Sequence, residues 1–181
     1  MKGIVFTEFL EMVEAQHSLA LADAIITDAA LPHGGAYTAV GTYPVGELLA
    51  LLVALCTRTS SSPEVVLTAF GEFLAGSFHR RFRHLFDAHG GALDFIANVE
   101  SYVHVEVRKL YPDAELPTFN AERISPDELV LLYQSPRALP ALAVGLIRGT
   151  GNAYGEALEV EREDLTADGS HFRFFIRRAR P

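Results

Sequence analysis

The stretch SYVHVEVRKLYP, residues 101–112, decides the fold, because its residues fit either a strand or a helix. From Tyr102 to Val107 valines alternate with more polar residues, and this pattern would form a strand with His104 on its polar face. Residues 92–111 contain neither proline nor glycine, which favours one long helix over a strand. The apolar stripe of that helix recurs at spacings of three and four residues and comprises Ile96, Val99, Val103, Val107 and Leu110. We therefore predict a helix, while the valines by themselves leave the strand possible.

The sequence before this stretch is typical of helices. Ser61 is followed by Glu64 three residues later and by Pro63 in the first turn, which is a helix-start signal. The segment 45–59 is apolar on nearly all sides, so we expect a well-buried helix. Glycine and proline in residues 31–44 predict a loop. The predicted helices cover residues 2–15, 19–30, 45–59, 60–78, 79–88 and 92–111.

After Pro112 the pattern becomes that of strands. Two pairs of β-prone segments flank the short turns Ser-Pro-Asp and Ala-Asp-Gly-Ser, and each pair predicts a hairpin. A helix that begins at Pro140 and reaches Gly149 lies between them. The predicted strands cover residues 118–124, 128–135, 156–164 and 171–179. Helices followed by hairpins predict an α+β fold, in which a mostly helical N-terminal part packs with a small four-stranded antiparallel sheet.

The composition excludes several classes of protein. The 181 residues are 49% apolar and 21% charged, which fits one globular domain with a core. The single cysteine, Cys56, excludes a disulfide framework and a Cys-rich zinc site. A net charge of −8 without a basic tract argues against nucleic acid and an anionic membrane as partners. The longest apolar run is too short to cross a bilayer, and we expect a cytoplasmic protein.

His104 is the first candidate site residue. On the predicted helix it lies beside Val103 and Val107, at the edge of the apolar face. A histidine in that place is either a structural boundary residue or a ligand, and its position alone favours the structural interpretation.

The motif YQSPR, residues 133–137, is the second candidate. In an extended chain alternate side chains share a face, so Tyr133, Ser135 and Arg137 would point the same way. A phenol, a hydroxyl and a guanidinium on one side suit a carboxylate or a phosphate. A polar strand end that faces water is the other interpretation, and the motif alone does not exclude it.

The two candidates together are more informative than either one. Non-covalent haem needs an axial nitrogen for its iron, an apolar slot for its macrocycle and donors for its propionates. A neutral imidazole on an apolar helix, combined with a Tyr/Ser/Arg clamp, meets two of these needs directly.

At this point the sequence resembles the H-NOX (haem nitric oxide/oxygen binding) family, whose members are bacterial gas sensors related to the haem domain of soluble guanylate cyclase. The resemblance extends over essentially the whole chain. It rests on the segments MKGIVF (1–6), AFGEFL (69–74), HVEVRKLYP (104–112), YQSPR (133–137) and GLIRG (145–149).

The resemblance implies a role for each candidate. His104 would be the proximal ligand of a non-covalent haem b, and Tyr133, Ser135 and Arg137 would hold the haem propionates. Pro117 matches a proline that presses on the haem and distorts it. The single domain 1–181 would comprise a distal helical subdomain, up to about residue 60, and a proximal subdomain beyond it.

The resemblance also predicts which gas is bound. Oxygen-binding relatives place a tyrosine on the helix after the clamp, supported by polar groups, whereas the matching positions here are Leu142, Phe9 and Leu74. A wholly apolar distal wall gives bound O₂ no donor, so we expect selection of nitric oxide (and CO) over O₂. The predicted apolar haem pocket comprises Val5, Phe9, Leu74, Phe78, Leu142 and Leu146.

The implied function is that of a sensor without catalysis of its own. Nitric oxide would weaken the iron–His104 bond, the helix that carries His104 would shift, and a histidine kinase or a diguanylate cyclase would respond. We expect no structural zinc, and we expect Cys56 to be a small core residue. Two alternatives are a haem enzyme with redox or peroxide activity and a cofactor-free interaction module.

Overall fold

The structure, a computed structural model, describes residues 1–179. Its helices coincide with the apolar-periodic segments of the sequence, and the first three leave residues 30–44 as a loop that includes left-handed Gly34 and Gly35. The helices are α1 (Gly3–Gln16), α2 (Leu19–Ala29), α3 (Val45–Thr59), α4 (Pro63–Arg81), α5 (Arg83–Asp87), α6 (Ala92–Ala97), α7 (His104–Leu110) and α8 (Pro140–Ala153).

Four strands form one antiparallel sheet in the order β1-β2-β4-β3. The two hairpins predicted from the sequence are present, and the second strand of each pairs with that of the other at the centre of the sheet. The strands are β1 (Thr118–Ser125), β2 (Glu128–Gln134), β3 (Leu158–Asp164) and β4 (His171–Arg178). The predicted α+β class is therefore confirmed.

The stretch 101–112 is helical, but it does not belong to one continuous α-helix as predicted. α6 ends at Ala97, a π-helical segment covers Val99–Val103, and α7 begins at His104. Within the π segment the backbone N–H of Val103 donates to the carbonyl of Asn98 at 3.4 Å, which is the spacing of a widened turn. The strand alternative for His104 is wrong, whereas the single uninterrupted helix needs this correction.

The two largest clusters of buried apolar side chains are a helical core and a sheet core, and a third, smaller cluster of Leu85, Phe86 and Phe95 connects α5 with α6. The helical core is built from α1 to α4 and the start of α8. The sheet core is built from α6, α8 and one face of the sheet, with Phe174 at its centre. Because α8 contributes Leu142 to the first core and Ile147 to the second, it joins the two.

Two expectations about helices are wrong in detail. α3 is not buried all round, because Val53 is 60% exposed and Leu49 lies beside it on the same outward face. The N-cap of α4 is Ser62 rather than Ser61: the Ser62 hydroxyl accepts from the backbone N–H of Val65 at 3.3 Å, and Pro63 is the first helical residue. The serine adjacent to the proline is the one that reaches the first turn.

Helices α4 and α8 cross at very short range, and glycine makes that possible. A methyl group added at Gly145 would collide with the carbonyl oxygen of Thr68 and would lie 2.8 Å from the Cα of Gly71. Since a backbone carbonyl cannot move aside cheaply, the crossing depends on residues without side chains. The crossing fixes Leu142 and Leu146 of α8 against α4.

Within residues 1–179, the helices are all too short or too polar to cross a membrane.

Candidate functional site

His104 is the first residue of α7 and is buried, with only 7% of its surface exposed. Its ring lies 5.5 Å from the ring of Phe119 on β1. The Nδ1 atom is 2.9 Å from the carboxylate of Glu100, one turn earlier in the π segment. Within residues 1–179 the Nε2 atom forms no hydrogen bond, so one nitrogen of the ring is partnered and the other is available.

Burial lowers the pKa of His104, and the hydrogen bond to Glu100 opposes that shift only in part. The imidazole is therefore neutral at neutral pH. A neutral ring carries one N–H, and a carboxylate partner requires that proton on Nδ1. The lone pair is then on Nε2, which is the form of histidine that binds metals.

Glu100 is the charged partner of this pair. Burial by itself would raise the pKa of Glu100, but hydrogen bonds from His104, Arg108 and the backbone N–H of Phe119 bring the pKa below its usual range. The carboxylate is thus ionised at neutral pH and remains a strong acceptor for the imidazole.

The alternation of buried and exposed side chains in β2 continues beyond the end of the strand, through the motif YQSPR. Tyr133 and Ser135 are buried, while Gln134 and Pro136 between them are exposed. The Tyr133 ring packs against Phe119 at 5.4 Å and Phe172 at 5.8 Å. Burial raises the pKa of Tyr133, so its phenol keeps its proton and can donate a hydrogen bond. A polar strand end facing open water, the alternative interpretation of this motif, is therefore wrong for Tyr133 and Ser135.

Arg137 is largely buried, with 13% of its side chain exposed. Its Nη1 donates to the backbone carbonyl of Glu115 at 2.8 Å, and its Nη2 donates to the Glu115 carboxylate at 2.7 Å. The backbone N–H of Arg137 donates to the Ser135 hydroxyl at 3.2 Å, which fixes the hydroxyl oxygen in the turn after β2. The Glu115 side chain is itself highly exposed, so a buried guanidinium is paired with a carboxylate that can swing into solvent.

A cavity of about 400 Å³ opens beside this guanidinium. It is lined by Arg137 and Glu115 on one side and by Met1, Lys2 and Tyr43 on the other. The acidic group of a ligand bound at Arg137 would thus lie at the edge of the protein, where solvent can reach it.

The six apolar residues expected to form the pocket all belong to the helical core or pack directly against it. Phe9, Leu74 and Leu142 are buried members of that core, and the Phe9 ring meets Phe70 edge-on at 5.1 Å. The partly buried members of the six are Val5, Phe78 and Leu146. That these six residues line one pocket stays a prediction.

Pro117 is half-buried and directly precedes β1. It lies between Glu115, which holds Arg137, and Phe119, which packs on His104 and Tyr133. The short connection from α7 to β1 thus passes both halves of the candidate site.

An ion pair that the sequence did not predict lies between helices α1 and α4. Glu8 is fully buried, and its carboxylate lies 2.9 Å from a guanidinium nitrogen of Arg81. It precedes Phe9 in the chain, yet a turn of 100° per residue separates the two side chains on the helix.

Sequence reasoning missed three residues of the site. Glu100 had a usable signal, because it stands four residues before His104 and helical neighbours at that spacing touch. Phe119 and Glu115 had none, since their contacts depend on how β1 docks and on the path of the loop before it.

The donor set fits a haem. His104 offers a nitrogen lone pair, the helical core offers an apolar wall, and the clamp offers donors at the protein's edge for acidic groups. No polar side chain belongs to the six wall residues, so the set suits a flat apolar macrocycle.

Comparison with known proteins agrees with this chemistry. The model of the family described as Haem-NO-binding (HNOB) matches residues 2–162. None of the curated proteins matched the chain significantly.

Several solved structures share the fold over nearly their whole length. The Fe(II) unliganded H-NOX protein from K. algicida is 36% identical, with 100% of this chain and 98% of that chain covered at a TM-score of 0.92. The H-NOX from S. woodyi in the Fe(II)CO ligation state is 32% identical, and the match covers 99% of this chain and 95% of that chain at a TM-score of 0.84. The H-NOX protein from S. oneidensis in the Fe(II)NO ligation state is 25% identical, and the match covers 99% of this chain and 100% of that chain at a TM-score of 0.92.

Proposed function

The chain belongs to the Haem-NO-binding (HNOB, or H-NOX) family, and from that membership we propose that it is a haem-based sensor that binds nitric oxide and passes the signal to a partner protein. The observation that carries this proposal is His104, a buried neutral imidazole whose Nδ1 is held by Glu100 and whose Nε2 has its lone pair available. The chain is a sensor domain and not an enzyme, as its family membership implies.

The cofactor of the domain is haem, which supplies a ferrous iron able to bind nitric oxide or CO. We assign His104 as the axial ligand. The buried phenol of Tyr133, the hydroxyl of Ser135 and the guanidinium of Arg137 are assigned to the propionates. Nη2 of Arg137 already binds the Glu115 carboxylate, while Nη1 binds the backbone carbonyl of the same residue. The guanidinium is therefore suited to a propionate that displaces the Glu115 side chain.

We assign Pro117 a steric role. It follows the segment that holds Arg137 and lies two residues before Phe119, the ring that touches both His104 and Tyr133. A rigid pyrrolidine in this connection would press on a macrocycle held by His104 and the clamp, and would favour its distortion.

The distal side is proposed to favour nitric oxide over O₂. Bound O₂ draws negative charge from iron and is retained by a hydrogen-bond donor, whereas nitric oxide needs none. The wall residues Phe9, Leu74 and Leu142 are buried and carry no donor.

The signal is proposed to leave through α7. This helix has only seven residues, begins at His104 and follows a π segment, so a change in the position of the imidazole passes directly to its backbone. A histidine kinase or a diguanylate cyclase that binds the two positions of α7 with different affinity would read the change.

The experiment that tests the function is the absorption spectrum of the ferrous protein under nitrogen, nitric oxide, CO and air. We expect a Soret band that shifts with nitric oxide and with CO and that shows no stable oxygenated form in air. A stable oxygenated spectrum would contradict the proposed selectivity, and the lack of any Soret band after haem supplementation would contradict haem binding itself.

The substitution Leu142→Tyr sharpens the test of selectivity, because it places a phenol on α8 among the wall residues. We expect this variant to retain O₂ longer than the wild type while its Soret shift with nitric oxide persists. The matched control is Leu132→Tyr, an exposed position on the other side of the sheet, which should leave gas binding unchanged. Equal behaviour of the two variants in air would argue that the missing donor does not determine selectivity.

A further inference from the structure

Two donors from α7 and one from β1 hold the carboxylate of Glu100. His104 Nδ1 and the backbone N–H of Phe119 both approach Oε2, at 2.9 Å and 3.2 Å. Arg108, one turn beyond His104, donates to Oε1 at 3.2 Å. Since donors from the helix and from the start of β1 converge on one carboxylate, its position is fixed although the side chain is only partly buried.

The backbone around Glu100 is specialised for this contact. Glu100 lies in the π-helical segment Val99–Val103, and His104 begins the α-helix that follows. A π turn is a local widening of a helix that occurs frequently at functional sites. Here the widened turn places the Glu100 carboxylate beside the imidazole and within reach of Phe119 on β1.

The contact determines three properties of the imidazole. It fixes the proton on Nδ1, it fixes the rotation of the ring against Phe119, and it places a carboxylate at the N–H. A carboxylate that accepts from the far nitrogen of a metal-binding histidine orients the ring and makes the near nitrogen a stronger donor. A neutral acceptor would orient the ring equally well but would donate less charge.

We propose that Glu100 is a positioning residue that sets, through His104, the strength of the bond between Nε2 and haem iron. This inference deepens the proposed function and rests on it. In the haem-loaded protein, a weaker bond would let His104 leave the iron more readily when nitric oxide binds. Glu100 would thus influence how easily nitric oxide releases His104 from the iron, although it contacts neither haem nor gas.

The test compares Glu100→Gln with Glu106→Gln in the haem-loaded protein. Both substitutions remove one carboxylate charge from the same stretch of helix, but Glu106 pairs with Lys109 and does not touch His104. For Glu100→Gln we expect a lower iron–histidine stretching frequency in the resonance Raman spectrum of the ferrous form. We also expect haem loss to accelerate roughly tenfold, as for other outer-shell partners of metal ligands.

The variant Glu100→Ala extends the series, because it removes the acceptor as well as the charge. Its shift of the stretching frequency should equal or exceed that of Glu100→Gln. A stretching frequency and a haem-loss rate in Glu100→Gln that match those of Glu106→Gln would overturn the proposal.

A measurement on haem-free wild type keeps the proposal testable if a variant fails to fold. Nitrogen-15 NMR of the histidine rings distinguishes the two tautomers, and we expect His104 to carry its proton on Nδ1. A proton on Nε2 would refute the role of Glu100 regardless of any variant.

The failure of this inference is distinguishable from failure of the proposed function. If the wild type binds no haem, the function is wrong. If the wild type binds haem through His104 and the two glutamine variants behave alike, the function stands and the role of Glu100 is wrong.

Discussion

At the scale of single residues, the neighbours of His104 determine which of its ring nitrogens is available to a ligand. The same imidazole at the edge of an apolar helix would be an ordinary boundary residue if both nitrogens were bonded within the protein. The contact with Glu100 satisfies only Nδ1 and removes the proton from Nε2. The proposed ligand role rests on which nitrogen is bonded, a detail that the sequence alone does not contain.

Arg137 gives a prediction at this scale. We expect Arg137→Ala to accelerate haem loss by about tenfold or more, because a hydrogen bond to a charged group contributes about 1.5–3 kcal/mol and its fork can form two such bonds. The rate is measured by transfer of haem to an excess of a tight haem-binding apoprotein. Arg123→Ala is the matched control, since Arg123 also binds backbone carbonyls but lies at the turn between β1 and β2. Equal rates in the two variants would remove Arg137 from the site.

The sequence identifies the residues of the site better than their partners. The alternation of Tyr133 and Ser135 could be predicted because side-chain direction in a strand has a fixed period. Glu115 could not be predicted as the partner of Arg137, because a contact across 22 residues depends on the path of a loop. For the same reason Phe119 became visible as the link between His104 and Tyr133 only in the fold.

At the scale of elements, the stretch 101–112 shows what periodicity can and cannot predict. Apolar residues at spacings of three and four favoured a helix, and the segment is helical. The same spacing fits α and π turns nearly equally over a short distance, so the π segment before His104 left no signal in the pattern. α3 shows the opposite error, because apolar residues on its outer face suggested burial that the fold does not provide.

The crossing of α4 and α8 gives a prediction at this scale. Gly145→Ala should destabilise the protein by about 1–3 kcal/mol, as overpacking does, because the added methyl group would meet the backbone of Thr68 and Gly71. Gly76→Ala is the matched control within α4, where the nearest atom to an added methyl group is a flexible Arg80 nitrogen at 3.7 Å. That control should be neutral or stabilising by up to about 1 kcal/mol.

Urea unfolding of the two alanine variants measures the difference. A midpoint for Gly145→Ala equal to that of the wild type would mean that the helices separate easily at the crossing. The close packing would then not fix Leu142 and Leu146 of the pocket wall.

At the scale of the whole molecule, two cores share α8, and the candidate site draws on both. His104 and Tyr133 are joined through Phe119 on the sheet side, while the six wall residues belong to the helical core. The α+β class and the hairpins could be predicted from local patterns, but how the two cores meet depends on long-range packing. The division into a distal and a proximal subdomain near residue 60 stays a prediction.

Asp113, in the loop that follows α7, contacts the residue before α1 and the loop between α2 and α3. Its carboxylate accepts from Lys2 and from Thr42, each at 2.9 Å. The hydrogen bond from Lys2, followed by that from Thr42, lowers the pKa of Asp113. A carboxyl group with a lowered pKa stabilises the fold above its unfolded value of about 3.9, and the contribution disappears as the pH falls through the lower folded value.

We therefore expect Asp113→Asn to lower the melting temperature at neutral pH, with a difference from wild type that shrinks below a pH of about 4. Thermal unfolding between neutral and acidic pH measures this difference. Asp23→Asn, at an exposed position of α2, is the control and should differ little from wild type at any pH. A deficit of Asp113→Asn that persisted unchanged in acid would mean that its charge is not the cause.

The axial role of His104 is the central claim, and ligand rescue tests it most directly. The ferrous absorption spectra of wild type and of His104→Gly are compared with and without added imidazole, which can occupy the space of the missing ring. We predict that His104→Gly loses the wild-type ferrous spectrum and that imidazole restores it. A ferrous spectrum of His104→Gly that equals the wild type without imidazole would contradict the claim.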